Sequence, residues 1–222
     1  MIPPRTMSLY DMHWNMLGTK YDLADQLRLI TGVPEDILRI EREVHTEPVG
    51  VRMSWTAKRM TARIEDRAYS LMGLFGVNMP MLYGEGAAAF RRLQEEIIEL
   101  STDTSIFLWN ARADQTDVRG SAYIDFLASS PSDFDVARDA VARDQLILTR
   151  RSDYVDRPAF AVTNAGLSIE FALIPWCLNL YLALLDCQHE RSRHEPRRLC
   201  IFLAKIPDQT QVSSSRLDIY QS

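Results

Sequence analysis

Thr163-Asn164-Ala165-Gly166-Leu167-Ser168-Ile169-Glu170-Phe171-Ala172-Leu173 decides the fold class. From Leu167 the apolar residues take every second position, and a period of two puts one face in a core and the other in solvent. Asn164-Ala165-Gly166 supplies residues that tolerate positive φ, so the chain is expected to reverse there from a strand at Phe160-Ala161-Val162. Further on, residues 180–185 and 199–203 read as two more strands. The polar run 188–198 between them is long for a tight turn, which predicts a flexible hairpin loop. Residues 217–220 read as an edge strand. This half of the chain is antiparallel β.

Upstream, the period changes to that of a helix. Leu23, Leu27 and Ile30 recur at i, i+4 and i+7, and Gly32 with Pro34 ends the segment. Ile64, Ala68, Leu71, Met72 and Phe75 lie on one helical face from about Arg63. Gly76 suits the left-handed position that closes such a helix. Glu65 and Asp66 sit in its first turn, where carboxylates favour the positive end of the dipole. Phe90, Leu93, Ile97 and Leu100 mark a third helix after the Tyr83-Gly84-Glu85-Gly86 turn. The class is therefore α+β, a helical N-terminal half followed by an antiparallel β-rich half. The expected division is 1–110 and 121–222, with residues 111–120 as linker.

Composition limits the function. The 222 residues carry 25 Lys plus Arg against 30 Asp plus Glu, a net charge of −5, with 46% hydrophobic and 25% charged residues. That is globular composition, and a chain of this length needs no metal or disulfide to hold a core. The negative balance argues against a phosphate-neutralising nucleic-acid binder. Cys177, Cys187 and Cys200 are an odd number without a C-x-x-C pair, as in a reducing compartment. The N-terminus lacks the apolar run of a signal peptide, and no apolar stretch is long enough to span a bilayer. A cytoplasmic location is expected.

Three constellations carry possible chemistry. Gly84-Glu85-Gly86-Ala87-Ala88-Ala89 has the outline G-x-G-x-x-A at a helix start, the arrangement that brings backbone amides to a pyrophosphate. A dinucleotide site also needs a preceding buried strand and a βαβ unit, whereas Pro80 interrupts the stretch before it. The reading favours a structural turn, with nucleotide binding as the alternative. Cys187, His189, His194 and Cys200 are potential zinc ligands, but their spacing matches no standard finger and both cysteines fall in apolar strand patterns. No metal is expected. Trp55, Arg59, Arg63, Arg67 and Tyr69 could form a surface for an anionic ligand. Salt bridges from these arginines to Glu65, Asp66 and Glu85 are the favoured reading. No nucleophile elbow, metalloprotease motif or P-loop is present, so the residues point away from an enzyme and no cofactor is expected.

Arg52-Met53-Ser54-Trp55-Thr56-Ala57-Lys58-Arg59, then Arg63-Ile64-Glu65-Asp66-Arg67-Ala68-Tyr69-Ser70-Leu71-Met72-Gly73-Leu74-Phe75-Gly76-Val77, then Met79-Pro80-Met81-Leu82-Tyr83-Gly84-Glu85-Gly86, continued by Ala89-Phe90-Arg91-Arg92-Leu93-Gln94-Glu95-Glu96-Ile97, resemble the hallmark run of fungal heterokaryon-incompatibility (HET) domain proteins. Tyr10-Asp11, Trp14, Leu17-Gly18-Thr19-Lys20 and Ile30-Thr31-Gly32-Val33 follow the same pattern. The likeness covers about residues 3–109, and the part from about residue 121 resembles the uncharacterised region that often follows that domain. The resemblance implies a role in nonself recognition and programmed cell death, with protein partners. It makes Trp55, Arg59, Arg63, Glu65, Asp66, Tyr69, Pro80, Tyr83, Gly84, Glu85, Gly86 and Phe90 the family-motif residues. In such proteins a strand-rich core with a fold similar to Toll/interleukin-receptor domains precedes the equivalent of Pro3. This chain is therefore expected to be a truncated, non-catalytic part, to which NAD-directed chemistry of that core cannot be carried over.

Overall fold

The computed structural model describes residues 6–110, 126–142, 160–163, 166–189, 198–205 and 212–213. The chain enters through a small hairpin, β1 (Ser8–Tyr10) and β2 (Met16–Thr19), whose antiparallel register pairs Ser8 with Thr19. Asp11 forms its turn by accepting hydrogen bonds from the backbone amides of His13 and Asn15, both 2.8 Å long. The hairpin is too short and too exposed to leave an alternating pattern in the sequence. Helix α1 (Ala24–Thr31) follows and ends on Gly32 at φ 76°, as its glycine predicts. Ile30, however, is 77% exposed, so the expected apolar face of α1 does not enter the core.

After the single turn α2 (Glu35–Leu38), helix α3 (Val49–Ser54) is buried along its whole length. Asp103 holds its start, accepting from the amide of Val49 at 2.7 Å and from that of Ser105 at 2.9 Å. One carboxylate thus caps α3 and begins the 3₁₀ segment Thr104–Phe107. Gly50 lets the two approach, since a Cβ there would lie 2.5 Å from the Ser105 carbonyl oxygen.

The expected single helix from Arg63 is two short ones, α4 (Asp66–Tyr69) and α5 (Met72–Phe75). They divide at Leu71, whose amide bonds back three residues to Ala68 rather than four. Ala68 and Leu71 enter the core, whereas Ile64, ahead of the first turn of α4, is 47% exposed. Gly76 closes α5 at φ 69°. Helix α6 (Ala88–Leu100) buries Phe90, Leu93 and Ile97 as expected; Leu100 stays in solvent, and Gln94 and Ile98 are buried instead.

The second half is antiparallel. Strands β4 (Ala161–Thr163) and β5 (Gly166–Ser168) form the expected reversal, with Val162 opposite Leu167. Leu167, Ile169 and Phe171 pack against the core, while Leu173 begins another strand, β6 (Leu173–Cys177), and is exposed. In the main sheet β7 (Leu180–His189) pairs with β8 (Arg198–Lys205) on one edge. Its other edge is shared by β3 (Ala140–Ala142) and β6, and β8 continues to β9 (Val212–Ser213). The predicted edge strand at 217–220 and the predicted linker at 111–120 lie outside the described residues. One buried apolar cluster draws on α3, α6, the 3₁₀ segments and the inward face of β7 and β8. Phe107 anchors it, with the rings of Phe126, Phe160 and Phe171 at 4.5, 5.6 and 5.9 Å.

Candidate functional site

Most of the residues singled out by the sequence motif converge on the turn that carries Gly84 and Gly86. Glu65 and Tyr69 are four residues apart and therefore project from the same side of α4. Glu65 Oε1 accepts from the amide of Gly84 at 2.8 Å and from that of Gly86 at 3.2 Å. The Tyr69 hydroxyl donates to Glu85 Oε1 at 2.6 Å, and Arg92 on α6 pairs with the same carboxylate. Arg92 Nη2 also donates to the Pro80 carbonyl at 2.8 Å. Asp66, one position further round α4, accepts from the Tyr83 hydroxyl at 3.1 Å. The Tyr83 ring meets Tyr69 edge-on at 5.5 Å and lies under the Arg63 guanidinium, 4.8 Å from the ring centroid. Phe90 anchors α6 in the core behind this cluster.

The glycines are required by the backbone. Gly84 has φ 103° and Gly86 φ 61°, both in the region that side chains disfavour. This conformation aims their amides at one point, as it would for a phosphate. Here the point is filled by the chain's own carboxylate. Hydrogen bonds from its own backbone amide and then from Gly84 hold the Glu65 carboxyl below the usual glutamate range, with smaller help from Gly86 and Arg63, against the opposing effect of burial. Glu85 is lowered too, first by the Tyr69 hydroxyl and then by Arg92. Tyr69 is raised, by burial first and by Glu85 second.

The expected salt bridges of Arg59, Arg63 and Arg67 to Glu65, Asp66 and Glu85 are not what the structure contains. Those carboxylates engage backbone amides, tyrosine hydroxyls and Arg92 instead. Arg63 stacks on Tyr83. Arg59 and Arg67 line a partly open cleft of about 230 Å³ together with Lys58, Thr56, Thr61, Ser70 and the Ser130–Ser132 turn. Trp55 packs at the edge of the core, close to Gly32. The contribution of Ser130 and Ser132 left no trace in the sequence reading, because more than sixty residues separate them from Arg67 and only the fold joins them.

The sheet places the two cysteines of the cysteine and histidine group on opposite faces. Cys187 belongs to the core cluster with Leu185, whereas Cys200 lies on the opposite face of β8 from Leu199 and Ile201. His189 is at the end of β7, 4.0 Å from Asp139, and His194 lies outside the described residues. Among the described residues no group of three or more histidine, cysteine or acidic side chains is placed to hold a metal, and no helix is long and apolar enough to cross a membrane.

Residues 88–179 match the profile of a domain of unknown function (DUF8212). The vegetative incompatibility protein HET-E-1 of Podospora anserina is 36% identical over 98 residues, which are 44% of this chain. The likeness is to a fungal incompatibility protein. The matched stretch spans only 7% of the length of HET-E-1. No solved structure matches the chain.

Proposed function

We propose that the chain acts in fungal nonself recognition as a non-catalytic interaction module, part of the machinery that links recognition of an incompatible partner to cell death. The observation that carries this reading is the 36% identity to HET-E-1 over 98 residues. The arrangement of the motif residues supports it: Glu65, Tyr69, Glu85 and Arg92 satisfy one another and the turn. They brace a surface, with no group among them poised to attack a substrate. Occupation of the Gly84 and Gly86 amides by Glu65 argues against the nucleotide-binding alternative, since a phosphate would have to displace a buried carboxylate and then lie beside it. Met12, Trp14, Leu29 and Ile30 stand 77–87% exposed and supply apolar surface of the kind a protein partner covers.

The test is a pairing assay. The gene is deleted in its host, and strains are confronted with compatible and incompatible partners. Loss or change of the incompatibility reaction is expected, with restoration by the intact gene and impaired restoration by Trp14→Ser or Leu29→Ser/Ile30→Ser protein of unchanged stability. Deletion strains with an unaltered reaction in every pairing would defeat the proposal. Calorimetric titration with NAD and ATP is expected to show no heat of binding; saturable binding abolished by changes at Gly84 or Gly86 in folded protein would favour the enzyme instead.

A further inference from the structure

The cations that the motif leaves over have a common destination. Lys58, Arg59 and Arg67 line the cleft of about 230 Å³, and no aspartate or glutamate is among its lining residues. Three cationic side chains on one cleft with no acidic residue in its lining give it a positive potential that favours an anion. Arg67 is half-buried, and its Nε is shielded from solvent without a hydrogen-bond partner. Its side chain lines the cleft and, among the described residues, enters no ion pair with the neighbouring carboxylates, which are held by other partners.

The opposite wall adds a hydroxyl donor. The Ser130 and Ser132 Oγ atoms are 2.9 Å apart, and Ser130 Oγ also accepts from the Ser132 amide at 3.4 Å. Ser132 donates in this contact, so the Ser130 hydroxyl proton is not used by it and is available to a ligand. The hydroxyls of Thr56, Thr61 and Ser70 each donate to a nearby backbone carbonyl and so shape the walls without charge. Asp133, next in sequence to this wall, directs a carboxylate oxygen to the amides of Ser129 and Ser130 and to the Ser129 hydroxyl.

We propose that this cleft binds a small phosphate-bearing molecule, with Lys58, Arg59 and Arg67 on the phosphate oxygens and the Ser130–Ser132 pair as hydroxyl donor. Two guanidiniums and an ammonium match a group with three terminal oxygens and up to two charges better than they match a single carboxylate. The volume is below that of a drug-sized pocket, so the ligand is a phosphate monoester or diphosphate with a small remainder. The site is separate from the Gly84–Gly86 turn, whose amides Glu65 already holds. It therefore does not depend on the reading of that turn.

The experiment is calorimetric titration of the whole chain with inorganic pyrophosphate at low ionic strength. One saturable site is expected, with affinity falling as salt is added. Lys58 and Arg59 are exposed, so Lys58→Ala/Arg59→Ala is expected to leave the melting temperature unchanged. The same double change is expected to weaken binding about tenfold or more, through loss of two charge-assisted contacts. Arg28→Ala, an exposed cation on α1, is expected to leave affinity within about twofold, and malonate is expected to bind about tenfold more weakly than pyrophosphate. Absence of saturable binding, an affinity unchanged by the double substitution, or an equal loss in Arg28→Ala would each overturn the proposal.

Discussion

Gln94 offers the sharpest test of how the two halves of the chain are joined. It is fully buried on α6, and its side-chain amide meets the backbone of Ala128 with both of its groups. Nε2 donates to the Ala128 carbonyl at 2.8 Å and to the Phe90 carbonyl at 3.2 Å, while Oε1 accepts from the Ala128 amide at 3.0 Å. Ala128 is itself 3% exposed, so water cannot replace the lost partner. Gln94→Ala orphans a buried donor and a buried acceptor, each costing about 1–3 kcal/mol, and leaves a small cavity besides. The expected loss is about 3–5 kcal/mol, which for a chain of this size lowers the melting temperature by on the order of 10 °C. Gln94→Leu restores volume without the hydrogen bonds and is expected to recover less than half of the loss. Gln94→Glu adds a pH signature. Deprotonated, it sets a negative charge against the Ala128 carbonyl; protonated, it can donate to that carbonyl and accept from the amide. The folded-state pKa of such a carboxyl lies above its unfolded value, so its stabilising contribution is full below the unfolded pKa and is lost as pH rises through the folded one. Denaturant titrations at a series of pH values read this directly. A loss below about 1 kcal/mol in Gln94→Ala, or a Gln94→Glu protein that loses ground to the wild type on acidification, would refute the reasoning.

The other predictions concern the turn and the buried glycine. Gly84→Ala is expected to cost about 1–3 kcal/mol and Gly86→Ala about 1 kcal/mol, because the added Cβ meets no atom within 4 Å and only backbone strain is measured; losses that reverse this order would contradict the φ angles. Gly50→Ala is expected to destabilise by about 1–3 kcal/mol despite the better helix propensity of alanine, because α3 must move away from the Ser105 carbonyl, and a raised melting temperature would disprove that contact. Glu65 and Glu85 have depressed folded-state pKa values, so their contributions are complete above the unfolded pKa and fade as pH falls through the folded one. Denaturation midpoints in Glu65→Gln protein should therefore change less with acidification than those of the wild type, and identical acid profiles would show that Glu65 does not support the turn.

The apolar periodicities carried much of the fold because burial acts on them directly. Ala68, Leu71, Phe90, Leu93 and Ile97 are where a helical repeat puts them, and Leu167 alternates into the core as a strand repeat requires. The repeat misled where burial was incomplete. Ile30 and Leu100 fit their helical faces yet stand in solvent, each in the last turn of its helix. Helix α3 leaves no periodic mark in the sequence because it is buried on all sides, and a uniformly covered helix has no face for a pattern to show. Strand β6 was obscured by Pro175, which its ladder to β7 accommodates beside an irregularity in register.

The site shows a different limit. Residue type said that Arg59, Arg63 and Arg67 need partners and that Glu65, Asp66 and Glu85 are near in sequence, and joining the two sets is the cheapest assumption. The fold allocates them otherwise. Glu65 can reach Gly84 and Gly86 only because the chain returns over α4 after nineteen residues, and those two amides already converge through the positive φ of the glycines. Two aligned amides satisfy a carboxylate without fixing a long cationic side chain, so the ion pair loses the competition. Asp66 is likewise taken by Tyr83 and Glu85 by Tyr69 with Arg92. The carboxylates are thereby used on one side of α4, and Arg67 with Lys58 and Arg59 remains at the cleft on another. Such a separation of charge within one motif cannot be read from spacing, since it depends on which side of a four-residue helix each neighbour approaches. It also explains why the same run of residues serves two ends: the acids lock a turn, and the bases they do not neutralise are left to meet an anion.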